Sequence, residues 1–140
     1  MPETGIQNNS AVVMFVDDEP SVLSSLRRLC DDSSYRCEFF QSPEHALEFA
    51  RENEVALVVS DNQMPVMTGI EFLARMRLVS PDTVRVMMTA YANLGVAISA
   101  INQSEAFRFI TKPWDNNELL SLIDEGVARH NILSSMKSRD

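Results

Sequence analysis

The sequence is poor in glycine, with four in 140 residues, and none of the four sits in a phosphate-loop motif. A nucleotide- or flavin-binding loop that offers backbone N–H donors is therefore not expected. Cysteine is just as scarce. Cys30 and Cys37 make no metal-type spacing with His45 or His130, which leaves two buried thiols in a reducing cytosol as the reading. No run of about 18 apolar residues occurs, so no membrane-spanning helix is expected. No apolar stretch follows a basic N-terminal region, so no signal peptide is expected either. Bases are outnumbered, 12 against 20 acids, for a net charge of −8. That balance speaks against a nucleic-acid-binding surface spread over the domain and suits cations or a basic partner. Charge of either sign is missing altogether from Val86 to Ser104.

What is present is a core and an alternating pattern. Apolar residues make up 45% of the chain, enough for one globular domain of this length. Short apolar runs fall at 11–16, 35–40, 55–60, 83–88 and 106–110, and helix-period segments separate them. Val22, Leu23, Leu26, Leu29 and Cys30 share one helical face. So do Leu94, Ala97, Ile98 and Ile101, and later Leu119, Leu122, Ile123 and Val127. Glu19-Pro20 and Ser42-Pro43 put proline where a first helical turn tolerates it. Thr68-Gly-Ile-Glu71 reads as a capping box with Met67 and Phe72 as its staple. Asp115-Asn-Asn-Glu118 is an acidic counterpart flanked by Trp114 and Leu119. Five strands alternating with five helices predict an α/β fold, a doubly wound parallel sheet covered on both faces. Residues 1–10 are expected as a loose tail, 11–133 as the domain, and 134–140 as a polar tail or the start of a linker.

In such sheets ligands bind beyond the carboxyl ends of the strands. The first strand is followed by Asp17, Asp18 and Glu19, the third by Asp61, the fourth by Thr89 and the fifth by Thr111 and Lys112. Crowded carboxylates repel and raise one another's pKa. A lysine or a divalent cation would hold them ionised, and Mg²⁺ prefers one or two carboxylates with its remaining shell open to phosphate. Carboxylate nucleophile, hydroxyl, ammonium and hard cation together make a phosphoryl-transfer set. Taken singly, Asp18 or Glu19 could cap a helix, Lys112 could be a solvated surface residue, and Phe109 could be plain core.

The segments "VDDEP", "SDNQMPVMTGIEFL", "MMTAYA" and "FITKPW", each after its own strand, resemble the receiver domain of two-component response regulators from Val12 to about Asn131. The resemblance implies a flavodoxin-like five-stranded sheet in the order 2-1-3-4-5. It implies Asp61 as phosphoacceptor, taking phosphate from a histidine on a sensor kinase or histidine phosphotransfer protein. It implies Mg²⁺ bound by Asp18, the Asp61 carboxylate and the Gln63 backbone carbonyl, with Asp17 acting partly through water. Lys112 would pair with the phosphate, Thr89 would turn inward to meet it, and Phe109 would be the switch aromatic. The Lys112–Pro113 bond would be cis. Gln63 and Tyr91 occupy positions that modulate phosphate lifetime in the family, and so bulky a pair suggests minutes or longer. Such a domain is a signalling phosphoacceptor of the cytoplasm and not a separate enzyme. Its uncharged fourth helix, with the fifth strand and fifth helix, would form a contact face for a partner or a second copy of the chain.

Other classes fit less well. A phosphatase of the haloacid-dehalogenase type needs an acid two residues after the nucleophile, where this chain has Gln63. A flavin carrier needs donors, not "VDDEP", after the first strand. A scaffold or docking receiver, or a module cut from a regulator with an output such as a cyclic-di-GMP phosphodiesterase, remains the alternative; "KPWDNNEL" resembles receivers of the latter kind.

Overall fold

The residues described in the computed structural model are 11–31, 33–103 and 105–138. The expected N-terminal tail, residues 1–10, lies outside them. Strands β1 (Val12–Val16), β2 (Arg36–Phe40), β3 (Val55–Asp61), β4 (Val84–Ala90) and β5 (Arg108–Lys112) alternate with helices α1 (Pro20–Cys30), α2 (Pro43–Glu52), α3 (Gly69–Val79), α4 (Leu94–Asn102) and α5 (Asn116–Ser138). All pairings are parallel and the order is β2-β1-β3-β4-β5. This is the doubly wound, flavodoxin-like arrangement expected from the sequence. The Lys112–Pro113 bond is cis.

The two-residue period of the strands divides the core into two layers. Val13, Phe15, Leu57, Val59, Val86 and Met88 point toward α1 and α5, meeting Leu26, Leu119 and Ile123. Met14, Val16, Val58 and Met87 point the other way, toward Leu47 of α2, Phe72, Leu73 and Met76 of α3, and Ala97 and Ala100 of α4. The helix starts follow their local chemistry. Pro20 and Pro43 occupy first turns, and the Ser42 hydroxyl accepts from the His45 N–H at 3.3 Å. The Thr68–Glu71 capping box is complete, and the Asp115 carboxylate accepts from the Glu118 N–H at 2.8 Å.

Three expectations shift. The fourth and fifth strands run two residues further than their apolar runs, so Thr89 and Lys112 lie inside strands, with Thr89 opposite Thr111 and Ala90 opposite Lys112. Backbone pairing continues past the end of the apolar pattern because the last side chains reach an open rim. The buried side of α4 is Ala97 and Ala100, while Ile98 is 50% exposed. At 3.6 residues per turn Ile98 stands about 160° around the helix from Ala100, so the buried face keeps Ala97 and Ile101 of the expected set but is rotated off Ile98. The two cysteines are free but half-buried rather than buried. At the C-terminus, α5 continues through Ser138.

Gly69, the first residue of α3, lies against the backbone of the β3 end. A Cβ there would sit well inside van der Waals contact with the Asp61 carbonyl oxygen and 2.8 Å from the Asn62 Cα. The Gly69 N–H also donates to the Asn62 carbonyl at 2.8 Å. Backbone cannot yield as a side-chain tip can. Gly69→Ala is therefore expected to destabilise the domain by about 2–3 kcal/mol, read as a lowered urea midpoint with an unchanged slope.

Candidate functional site

Each side chain of the site is delivered by the C-terminal end of a strand. All seven residues of β3 are buried, and Asp61 is the last of them. Its backbone is pinned on both sides: the next N–H, that of Asn62, donates to the Met88 carbonyl at 3.1 Å, and the Ser60 hydroxyl donates to the Asp61 carbonyl at 2.9 Å. Asp17 follows β1 directly and is 1% exposed. Its Oδ1 accepts from the Glu19 N–H at 2.9 Å, a local turn that fixes the carboxylate's aim. Asp18, next in the chain, is half-buried. One carboxylate oxygen from each of Asp17, Asp18 and Asp61 falls within 4.8 Å of the others.

Lys112 closes the group from β5. Its Nζ lies 2.8 Å from Asp61 Oδ1 and 2.9 Å from Asp17 Oδ2, with Glu19 Oε1 at 4.0 Å. Three acids against one base leave the rim negative. Two carboxylates at this separation repel by roughly 3–4 kcal/mol at an effective dielectric of about 20. Burial pushes the Asp61 carboxyl above the ordinary carboxylate range; the hydrogen bond from Lys112 opposes this, and the charges of Asp17 and Asp18 add to it. For Lys112, burial alone would lower the ammonium's pKa, but the hydrogen bonds to Asp61 and Asp17 outweigh it and raise the value. Among the described residues Lys112 pairs with Asp17, Glu19 and Asp61, and no ion pair is seen for Asp18. The donors are all hard oxygens, they converge, and they carry unbalanced negative charge, so the set fits a divalent cation such as Mg²⁺.

The remaining residues singled out in the sequence follow β3 or belong to β4, β5 and the turn after β4. Thr89 is 1% exposed, and its hydroxyl donates to the Ala90 carbonyl at 3.4 Å. Phe109 is half-buried, paired across the sheet with Met87 and packed against the α2–α3–α4 layer. Tyr91 is 75% exposed, in the 3₁₀ turn between β4 and α4. Gln63 is exposed too, and together with Asp18, Met64, Pro65 and Val96 it lines a groove beside the acids. Glu19, offered by the sequence as a possible helix cap, is the N-cap residue of α1 without a side-chain cap hydrogen bond, and its N–H orients Asp17; that backbone role had no signal in the sequence.

A family model described as response regulator receiver domain matches residues 13–124. The chain belongs to the response regulator receiver family. Among curated proteins this receiver is 27% identical over 135 residues to the hydrogenase transcriptional regulatory protein HoxA of Cupriavidus necator, covering 96% of this chain and 28% of the relative. The chain spans about a quarter of the length of the curated relatives it matches. Among solved structures it is similar to the signal receiver domain of an HD domain-containing protein from Pseudomonas fluorescens Pf-5, at 29% identity and a TM-score of 0.84, covering 91% of this chain and 93% of that one. It is also similar to the beryllofluoride-activated NtrC4 receiver domain dimer, at 27% identity and a TM-score of 0.78, covering 85% and 98%. Among the described residues, no helix is long and apolar enough to cross a membrane.

The charge imbalance of the receiver's rim makes a stability prediction. A carboxyl whose folded pKa exceeds its unfolded one holds its proton more tightly when folded. Its ionisation therefore costs stability as pH rises through the folded value. Asp61→Asn removes that cost and leaves Lys112 bound to Asp17. The variant is expected to be more stable than wild type by about 1 kcal/mol or more near pH 7 in EDTA. The gap should shrink as pH falls and close below about 3, under the ordinary aspartate pKa of about 3.9, where the carboxyl is protonated in both states. Urea unfolding across that range measures it, and a gap that widens on acidification would contradict the assignment.

Proposed function

We propose that the domain accepts a phosphoryl group on Asp61 from the phosphohistidine of a sensor kinase or histidine phosphotransfer protein, in the cytoplasm. The observation that carries the proposal is the convergence of Asp17, Asp18 and Asp61 within 4.8 Å, with the Lys112 ammonium against two of them. A free Asp61 oxygen attacks phosphorus, the phosphorus–nitrogen bond to the imidazole breaks, and an aspartyl phosphate forms. Asp18, the Asp61 carboxylate and the Gln63 backbone carbonyl hold Mg²⁺, with Asp17 acting partly through water. When bound, that ion screens the acids and neutralises charge on the transferred group. Lys112 moves its contact from the Asp61 carboxylate to a phosphate oxygen, and Asp17 keeps the ammonium aimed. The Thr89 hydroxyl exchanges the Ala90 carbonyl, a long bond at 3.4 Å, for a phosphate oxygen. Gln63 and Tyr91 flank the product and slow the approach of water.

The readout in this reading is the surface formed by α4, β5 and α5. Thr89 is joined to α4 through the Tyr91–Asn93 turn, and Phe109 packs against the same layer as Ala97 and Ala100. The outer side of α4 carries no charge and exposes Val96 and Ile98, with Tyr91 alongside. A shift of population between two α4 positions would change that apolar surface. A second copy of the chain is the favoured occupant, and the NtrC4 receiver, activated by beryllofluoride, is a dimer. Such a surface change could serve outputs as different as those the relatives' names print, transcriptional regulation for one and an HD domain for another.

Incubation with labelled acetyl phosphate or a phosphorylated donor kinase tests the chemistry. Wild type in Mg²⁺ is expected to take up label; EDTA or Asp61→Asn should lower the uptake by about a hundredfold or more. Label that persists in Asp61→Asn rules out Asp61 as the acceptor. The labelled protein should keep its phosphate for minutes or longer, and decay within seconds would remove the shielding role of Gln63 and Tyr91. Sedimentation with and without beryllofluoride tests the surface: the ligand should drive dimer formation, and Ile98→Glu should prevent it. A monomer in both states excludes self-association.

A further inference from the structure

At the end of the sheet away from the acids, one buried polar side chain plays no part in the site. His130, on α5, is 2% exposed. Its Nδ1 lies 2.8 Å from the backbone carbonyl of Asp82, in the turn before β4. Its Nε2 lies 2.9 Å from Glu54 Oε2, in the turn before β3. A carbonyl and a carboxylate only accept. A neutral imidazole has a single N–H, so both contacts are hydrogen bonds only when the ring is an imidazolium. Nε2 has a second neighbour of a different kind: Ser134 Oγ, four residues on in α5, at 3.3 Å. A hydroxyl can donate to a bare ring nitrogen. The Glu54 carboxylate therefore requires a proton on Nε2, whereas the Ser134 hydroxyl, which can accept or donate, also serves the bare nitrogen of a neutral ring. Histidine is the side chain whose charge ordinarily changes between about pH 5 and 8.

We propose that His130 is a proton-operated clamp on the C-terminal part of α5. Charged, it joins the helix to the Glu54 and Asp82 turns at once. Neutral, it keeps the Asp82 carbonyl through Nδ1–H, turns Nε2 over to the Ser134 hydroxyl, and releases Glu54. The tie between α5 and the start of β3 then becomes a bond within α5 itself, and the last two turns of the helix are held less firmly. The ring borders a cavity of about 480 Å³ whose titratable side chains are Glu54 from the turn before β3 and Asp82 from the turn before β4, and α5 adds Ser134. The neighbouring Arg129 is turned aside, its guanidinium 4.8 Å from the centre of the Phe107 ring. Glu54 has its side chain 58% exposed, so water receives it once it is released.

Amide hydrogen exchange over residues 131–135, corrected for intrinsic rates and compared at about pH 5.5 and about pH 8.5, tests the clamp on the whole chain. In wild type, protection there is expected to fall by about twofold or more at the higher pH while β1 and β3 stay unchanged. In Glu54→Gln and His130→Gln the fall should be absent. In Ser134→Ala, which removes the partner of the neutral ring, it should be larger than in wild type. Glu54→Gln changes an exposed side chain and decides the matter even where His130→Gln fails to fold. A wild-type fall below about twofold, or an equal fall in Glu54→Gln, overturns the proposal.

Discussion

The contact of one ammonium with two carboxylates, Lys112 with Asp17 and Asp61, is the constraint around which the fold is arranged. The three side chains come from β5, β1 and β3. The strand order sets β1 beside β3 and puts β4 between β3 and β5. Strands stand about 4.8 Å apart, so Lys112 must reach over two spacings to touch Asp61. Its long stem does so, and its Nζ meets oxygens from both acids at 2.8 and 2.9 Å. The order 2-1-3-4-5 thus does more than cover two apolar faces. It brings residues 95 positions apart in the chain, Asp17 and Lys112, into one hydrogen bond.

That contact leaves the rim short of positive charge, and the shortfall gives the site its properties. A fully compensated cluster would be an inert structural ion pair. Here Asp18 stands outside the ammonium's reach, and Asp61 remains above the ordinary carboxylate range despite its lysine. Folding has tolerated a repulsion that a cation or a phosphate-bearing partner would relieve. The rigidity around Asp61 follows from the same need. Buried strand on one side, Gly69 against its backbone on the other, and the Asn62–Met88 hydrogen bond together prevent the acid from retreating into solvent.

The sequence was most readable where the controlling interactions are local or periodic. Proline at first turns, the Thr68–Glu71 box and the apolar runs announced the elements, and their alternation announced the parallel sheet. Convergence of the polar strand ends was readable because each strand delivers its last residues to a common rim. Where strands end was less readable, since Thr89 and Lys112 continue the backbone ladder after the apolar pattern has stopped. The orientation of α4 was only partly readable for a different reason: Ala97 was rightly placed inside, but Ile98 looks like core while the small Ala100 is what the layer accepts. His130 gave no signal at all. Its two acceptors come from turns 76 and 48 residues away in the chain, and no spacing links a lone histidine to partners so placed.

The alanine face of α4 also bears on which element moves. On the same side of the sheet, α3 buries Phe72, Leu73 and Met76 completely, whereas α4 buries Ala97 and Ala100. Each buried methylene contributes roughly 0.8 kcal/mol, so the difference in anchoring between the two helices is several kcal/mol. Displacing α3 would empty a packed layer, while sliding α4 costs little apolar contact. The weakly anchored helix is the one that follows Thr89 in the chain, begins without a side-chain cap, and exposes Val96 and Ile98. Small buried residues, an uncapped start and an apolar outer surface favour the same element as the mobile one. Its low attachment energy would let a change of contact as small as one hydrogen bond at Thr89 shift its population.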